Sequence, residues 1–377
     1  MKGASVLSGV LLAGLVLSRA TLAAPEPAPS GVMRLAVPPT GAYTGAYLDF
    51  GDYEDEVTLE KITAFNALVG KTQAIIGFSN FWGRQRFPTA QARIIANAGA
   101  VSLIYWNPWN DRDEARYSRF DIDAILSGRW DAYIDAWAAE ARAFGKPLLV
   151  AWGLEMNGDW FPWSGVYHGA DEPIPGSDPP RYRGPETFKR AYRHIVDRVR
   201  AAGADNIAWV FHTNNTAAPD VPWNRMAAYY PGDDYVDWLA MSAYGKQTSG
   251  EGWAGVKEAI PDHYDELAAL APDKPILLGE WGIGEFPHQG DKGRWISEAM
   301  TAMERLPRLK GAVFWHERWQ NPDLSYSNLR VNSSLGALEA YRRAVARDFW
   351  LGAPRFEPLP ASGASAAPAA TFKRHAN

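Results

Sequence analysis

The stretch Leu148-Leu149-Val150-Ala151-Trp152-Gly153-Leu154-Glu155-Met156-Asn157-Gly158 opens with five apolar residues and delivers a carboxylate three positions later. A short apolar run without alternation is the pattern of a parallel strand covered on both faces. A second run, Ile276-Leu277-Leu278-Gly279-Glu280-Trp281-Gly282, has the same form and again ends on a Glu beside Trp and Gly. Working outward, further apolar runs lie at 46–50, 74–81, 101–106, 207–211, 236–243 and 312–315, which makes eight predicted strands with 148–154 and 276–279. Between them, 59–68, 90–98, 130–144, 186–202, 254–270, 293–306 and 335–346 carry the helical period, with a weaker stretch at 223–230. Gly99, Gly145-Lys146-Pro147, Gly203 and Asp273-Lys274-Pro275 supply stops before the next strand.

Eight strand–helix alternations predict an α/β fold, a (β/α)8 TIM barrel built as one catalytic domain. A doubly wound sheet is the alternative, but no Gly-rich dinucleotide fingerprint follows the first strand. In a barrel, chemistry sits where the strands end, so polar residues at those ends are the candidates.

The chain has 377 residues, no Cys and a formal charge of −5, so disulfides, thiolate metal sites and a Cys nucleophile are excluded. Basic and acidic residues nearly balance, 38 against 43, with no basic stripe, which argues against nucleic acid as partner. The 17 Trp, 16 Tyr and 15 Phe admit two readings, an aromatic core and a sugar-binding cleft lined by indole faces. Lys2 followed by the apolar run from Val6 to Leu17 and small residues up to Ala24 reads as a signal peptide and not as a membrane span. The expected organisation is a signal peptide at 1–24, a linker at 25–40, the barrel at 41–351 and an unpacked Pro/Ala-rich tail at 352–377. Such a chain is expected to be secreted, periplasmic or extracellular in a bacterium, monomeric, and free of the membrane after cleavage.

Two strand-end Glu residues three strands apart, each flanked by aromatics, match what glycoside hydrolysis requires. One carboxylic acid protonates the departing oxygen, and one carboxylate attacks the anomeric carbon. No HExxH-like metal motif and no Gly-x-Ser-x-Gly elbow occurs, so no metal and no cofactor is expected.

The segment Glu155-Met156-Asn157-Gly158-Asp159-Trp160-Phe161-Pro162-Trp163 resembles the acid/base motif of glycoside hydrolase family 26, a family of β-mannanases and mixed-linkage β-glucanases. Segments 274–282, 230–244 and 329–342 resemble its nucleophile strand, sixth strand and closing segment. The resemblance implies Glu155 as acid/base, Glu280 as nucleophile and Tyr244 as the group orienting Glu280. It also implies Trp160 and Trp163 on the leaving-group side and Trp315 under the sugar being cleaved. The substrate would be a β-linked polysaccharide or oligosaccharide, β-mannan or a β-1,3/1,4-glucan. Two departures stand out: Leu154 replaces the His usual before the acid/base, and Ala151 replaces the usual Arg. They point to a divergent member with another β-glycan substrate. They also keep open a non-catalytic glycan-binding barrel accessory to polysaccharide export or processing.

From strand-end position alone, Tyr105, Trp106 and Asn107 are candidates for a distal subsite, and His212 and Asn214 for sugar contacts. Glu317 reads as a rival carboxylate or a surface salt-bridge partner, the second being preferred, Asp237 as support for Tyr244 or a loop, and 168–183 as a rim loop.

Overall fold

The computed structural model describes residues 31–83, 86–110 and 119–359. Eight parallel strands carry the fold: β1 (Ala42–Tyr47), β2 (Ile75–Phe81), β3 (Val101–Asn107), β4 (Leu148–Trp152), β5 (Ile207–Asn214), β6 (Trp238–Tyr244), β7 (Ile276–Gly282) and β8 (Leu309–Trp315). Each pairs with the next in chain order, and β1 pairs with β8 from Tyr43 opposite Gly311 to Tyr47 opposite Trp315, closing a (β/α)8 barrel. Every residue of β2, β3, β4 and β7 is buried, as strands enclosed by helices outside and side-chain layers inside must be.

The outer ring comprises α1 (Leu59–Val69), α2 (Thr89–Asn97), α3 (Asp131–Phe144), α4 (Arg183–Ala201), the single turn α5 (Met226–Tyr229), α6 (Pro261–Leu270), α7 (Lys292–Met303) and α8 (Leu335–Val345). Their ends follow from local chemistry. The Thr58 hydroxyl accepts from the Lys61 N–H at 3.1 Å to start α1, and Gly70, at φ +73°, ends it in the left-handed region. Along α4 the buried residues Phe188, Ala191, Tyr192, Ile195, Val196 and Val199 recur at three- and four-residue spacing. On the same helix, Arg198 reaches Asp131 and Asp135 of α3 at 2.7 and 2.5 Å. The predicted helix 254–270 is two pieces, Val256–Ala259 and α6. Pro261 has no N–H to donate and serves as the first residue of α6, so the chain breaks at Ile260. Among the described residues, no helix is long and apolar enough to cross a membrane.

The first strand lies four residues before the predicted 46–50. It lacks an unbroken apolar run because Thr44 and Gly45 follow Tyr43, and Gly45 has no room for a side chain: a Cβ there would sit 2.8 Å from the Ile75 carbonyl oxygen. The expected linker (25–40) and tail (352–377) need correction in their described parts. Met33–Leu35 pairs antiparallel with Phe356–Pro358, Arg34 donates to Glu357 at 2.8 Å, and Leu35 is buried. Trp350–Leu351 adds in parallel beside β1. The expected signal peptide, the start of the linker and residues 360–377 lie outside the described residues.

The strand register shifts at a functionally placed point. Met241 pairs with Leu278 but Ser242 pairs with Glu280, so Gly279 is an extra residue in β7. On the other side, Leu278 faces Ala312 and Trp281 faces Phe314, again with a residue to spare. Bulges of this kind redirect side chains beside active sites. Gly279 is required here because a Cβ would lie 2.4 Å from the His212 ring. Its carbonyl is held by the Tyr105 hydroxyl at 2.8 Å. Gly279→Ala should therefore lower stability by about 1–3 kcal/mol through overpacking. By contrast, Gly336→Ala in α8, where a Cβ meets nothing within 4 Å, should raise it by up to ~1 kcal/mol. Thermal unfolding of the two variants checks the contrast.

Candidate active site

Past Trp152, β4 does not run straight on. Gly153 and Glu155 take φ of +59° and +54°, and the Glu155 N–H donates to the His212 carbonyl at 2.8 Å. A left-handed residue other than Gly costs about 1–2 kcal/mol, and here the strained residue carries the carboxylate. The turn is pinned by Asn157: its Oδ1 accepts from the Asn214 N–H at 2.8 Å, and its Nδ2 donates to the Asn214 carbonyl at 2.9 Å. The following loop returns Trp160, whose indole N–H donates to Glu155 Oε2 at 2.8 Å.

Glu280, set by the β7 bulge, receives the Tyr244 hydroxyl at 2.8 Å. Glu155 and Glu280 are 8% and 7% exposed and line one cavity of about 460 Å³ at the C-terminal ends of the strands. Its wall also includes Tyr244, Asn107, Trp160 and Trp315. Trp315 stacks on Tyr47 at 3.8 Å and 12°, and its N–H donates to Glu317 at 2.8 Å.

Burial raises the affinity of both carboxyls for protons. For Glu155, burial acts most strongly, the Ser242 hydroxyl and the Trp160 N–H oppose it, and the charge of Glu54 adds to it. For Glu280, burial is followed by the charge of Glu155, which the Tyr244 hydroxyl partly offsets, and then by Glu54 and Glu317. Two buried acids that feel each other lose their protons in two separated steps, and between those steps the pair holds a single proton.

Three of the sequence candidates stand elsewhere. Trp106 is fully buried behind the barrel wall, stacked on Trp137 at 3.9 Å. Trp163 lies under the β4 loop, stacked on Phe161 at 4.5 Å with its N–H on the Leu154 carbonyl at 2.7 Å. His212 is 1% exposed beneath the cavity floor, its Nε2 2.9 Å from the Ser242 hydroxyl. Large aromatic rings at strand ends go to core layers here because they need apolar neighbours more than the cavity needs them. Glu317 is buried in the cavity wall and not a surface partner. Asp237 accepts from the Trp209 N–H at 2.7 Å and so ties β5, not Tyr244. None of residues 168–183 lines the cavity. Tyr105 and Asn214 do.

The structure adds wall residues that sequence reading passed over: Glu54, Ser79, Trp109, Gln247, Glu251 and Trp319. The Ser79 hydroxyl donates to Glu54 at 2.6 Å, and Glu54 sits at φ +56°. Ser79 lies near the end of a correctly predicted strand, so the strand-end rule applied to β2 finds it. Glu54 was hidden by the misplaced first strand. Among the described residues, no group of three or more His, Asp or Glu side chains is placed to hold a metal.

A buried acid whose affinity for protons is raised on folding stabilises the fold at low pH, and that contribution is lost as pH rises through its folded pKa. At pH 7 the crowded pair is therefore a cost to folding. Glu280→Gln, which keeps an acceptor for Tyr244, should raise stability at pH 7 by about 1–3 kcal/mol. The gain should shrink towards zero as the pH falls through the carboxyl range. Melting temperatures of both proteins between pH 3 and about 8 test this, and a lower value for the variant at pH 7 would contradict it.

Residues 123–282, a span that contains both carboxylates, match the model of Glycosyl hydrolase family 26. The chain is 32% identical over 289 residues to "Endoglucanase H" of Acetivibrio thermocellus, covering 75% of this chain and 29% of that protein. It is 27% identical to "Beta-1,3-xylanase TXYA" of a Vibrio species, over 59% of this chain and 42% of the relative. It is 31% identical to a Bacillus subtilis "Mannan endo-1,4-beta-mannosidase", over 44% and 39%. The chain thus spans less than half the length of each of these relatives. Among solved structures, Bacillus subtilis mannanase shares the fold with a TM-score of 0.57 at 19% identity, over 83% of this chain and 87% of that one. The YdhT protein from Bacillus subtilis does so at 0.59 and 18%, over 84% and 87%. The match to the Glycosyl hydrolase family 26 model thus lies across both acids of a closed barrel.

Proposed function

We propose that this protein is a retaining endo-β-glycosidase that cuts a β-linked polysaccharide by double displacement, with Glu280 as nucleophile and Glu155 as acid/base. The observation that carries the reading is the pair of buried carboxyls from β4 and β7 in one cavity, each with its own hydrogen-bond donor.

In the first step Glu280 attacks the anomeric carbon while Glu155 gives its proton to the departing glycosidic oxygen. The C–O bond to the leaving sugar breaks, and an ester to Glu280 forms. That ester removes the charge of Glu280, so Glu155, now ionised, loses the repulsion that kept it protonated and becomes a base. It takes a proton from water, the hydroxide part bonds to the anomeric carbon, and Glu280 leaves. Configuration is retained after two inversions. Tyr244 occupies one oxygen of Glu280 and leaves the other for attack. The Trp315 face is the platform for the sugar ring that is cleaved.

The relatives named as endoglucanase, β-1,3-xylanase and mannan endo-mannosidase support internal cleavage of a β-linked backbone. Leu154 lines the cavity with an apolar side chain, and Ala151 is fully buried, so neither offers a hydrogen bond to substrate. This favours a glucan-like chain over mannan. The leader read in residues 1–24 makes the enzyme a secreted one in this proposal.

Glu280→Ala should lower kcat by at least ~10³-fold. Azide should restore turnover and yield an α-glycosyl azide, and a β-azide would contradict the assignment. Glu155→Ala should spare substrates whose leaving group needs no proton and fail on the polysaccharide. Equal loss on both would remove Glu155 from the acid role. For the intact enzyme, kcat/KM should be bell-shaped in pH: it falls on the acid side as Glu280 gains a proton and on the alkaline side as Glu155 loses one. Glu155→Ala on an activated aryl glycoside should lack the alkaline limb.

A further inference from the structure

Glu155 has lost the polar neighbours that its own strand could have supplied, since Ala151 and Leu154 carry no donor. Its carboxyl is served from two other directions. Trp160 donates from the β4 loop at 2.8 Å, and the hydroxyl of Ser242, fully buried on β6 beside His212, favours the charged form. Behind Ser242 is His212 of β5, with Nε2 2.9 Å from the Ser242 oxygen and Nδ1 buried without a partner.

The tautomer follows from that contact list. Burial lowers the His212 pKa to about 3, so the ring is neutral and carries one N–H. A proton on Nδ1 would be a buried donor with nothing to accept it, which is the costlier kind of orphan. On Nε2 it is donated to the Ser242 oxygen. Ser242 then has its own O–H proton left over, and that proton is free to point at Glu155. The relay is locked at both ends. The His212 carbonyl receives the Glu155 N–H at 2.8 Å, and the ring is seated over Gly279, where any Cβ would strike it.

We propose that Ser242, oriented by the neutral imidazole of His212, is a positioning residue that donates to Glu155 and takes over the tuning of the acid/base from the residues missing on β4. The inference rests on Glu155 being the acid/base. Among the described residues, the titratable groups facing Glu155 are Glu280, Glu54, Tyr105 and Tyr244. They act on it as charges or dipoles that the variants below leave in place.

The test is the pH profile of kcat/KM on a soluble β-glucan. Ser242→Ala removes one oxygen and should move the alkaline limb upward by about one pH unit, a tenfold change in the ionisation constant, with the acid limb held by Glu280 much less affected. Ser242→Thr, which keeps the hydroxyl, should restore the wild-type limb. His212→Phe removes the orienting donor and should shift the limb in the same direction, so either variant decides the matter if the other fails to fold. An alkaline limb unchanged in the folded variant, with only kcat or the melting temperature lowered, would overturn the relay and leave Ser242 a packing residue. The parent reading is tested separately by the leaving-group dependence of Glu155→Ala. If that dependence is present and the limb does not move, the relay alone is wrong.

Discussion

Two carboxyls buried in one cavity cannot both be charged cheaply, and much of the surrounding structure answers that constraint. Burial by itself would neutralise both Glu155 and Glu280. A pair that shares one proton instead offers an acid and an anion at the same pH, which is what double displacement needs. Holding that state requires donors aimed at each acid. Trp160 and Ser242 serve Glu155, and Tyr244 serves Glu280. Trp160 comes from the loop after β4, and Ser242 and Tyr244 both come from β6, so each acid is served in part from a strand other than its own.

The backbone irregularities fall at the same place. Glu155 occupies a left-handed conformation, Glu280 follows a bulge, and Gly279, the extra residue of β7, has no space for a side chain. Regular β geometry sends alternate residues to opposite faces, so a strand that must present Glu280 to the cavity and keep Leu277 and Leu278 packed needs a residue out of register. The network of Asn157, Asn214 and Asn224 secures the β4 turn: Asn224 donates to the Asn157 carbonyl at 2.9 Å and is itself buried. Strain at Glu155 is thereby held by hydrogen bonds on a neighbouring strand, and the carboxylate is fixed before any sugar arrives.

The barrel was legible because buried parallel strands are written as unbroken apolar runs and helix stops as Gly and Pro. Seven of the eight strands were found within a few residues by that rule. β1 was misplaced because Thr44 and Gly45 interrupt the apolar pattern between the buried rings of Tyr43 and Tyr47, and this reads as linker. The two acids were legible from position at strand ends. The aromatics were not, because Trp106, Trp163 and Trp315 look alike in sequence and only packing separates the first two, enclosed by other rings, from the third, which keeps a face on the cavity. His212 was misassigned for a related reason: a strand-end His can point inward or sideways, and Ser242 captured it.

Leu154 and Ala151 then have a physical meaning. A polar side chain at either position would add a donor near the acid and a hydrogen-bonding edge for a substrate hydroxyl. With apolar residues there, Glu155 loses a local partner and the cavity loses a point of discrimination. The carboxyl is compensated from β6 and the loop. Among the described residues no basic group joins the cavity wall, and Glu54, Glu251 and Glu317 add acids beside the neutral Ser79, Asn107, Asn214 and Gln247. Carboxylates accept hydrogen bonds from sugar hydroxyls and repel uronate groups, so the wall suits a neutral chain with free hydroxyls turned towards it. In the proposed mechanism, the same residue changes that removed one set of contacts from β4 thus moved both the tuning of the acid and the choice of sugar onto other strands of the ring.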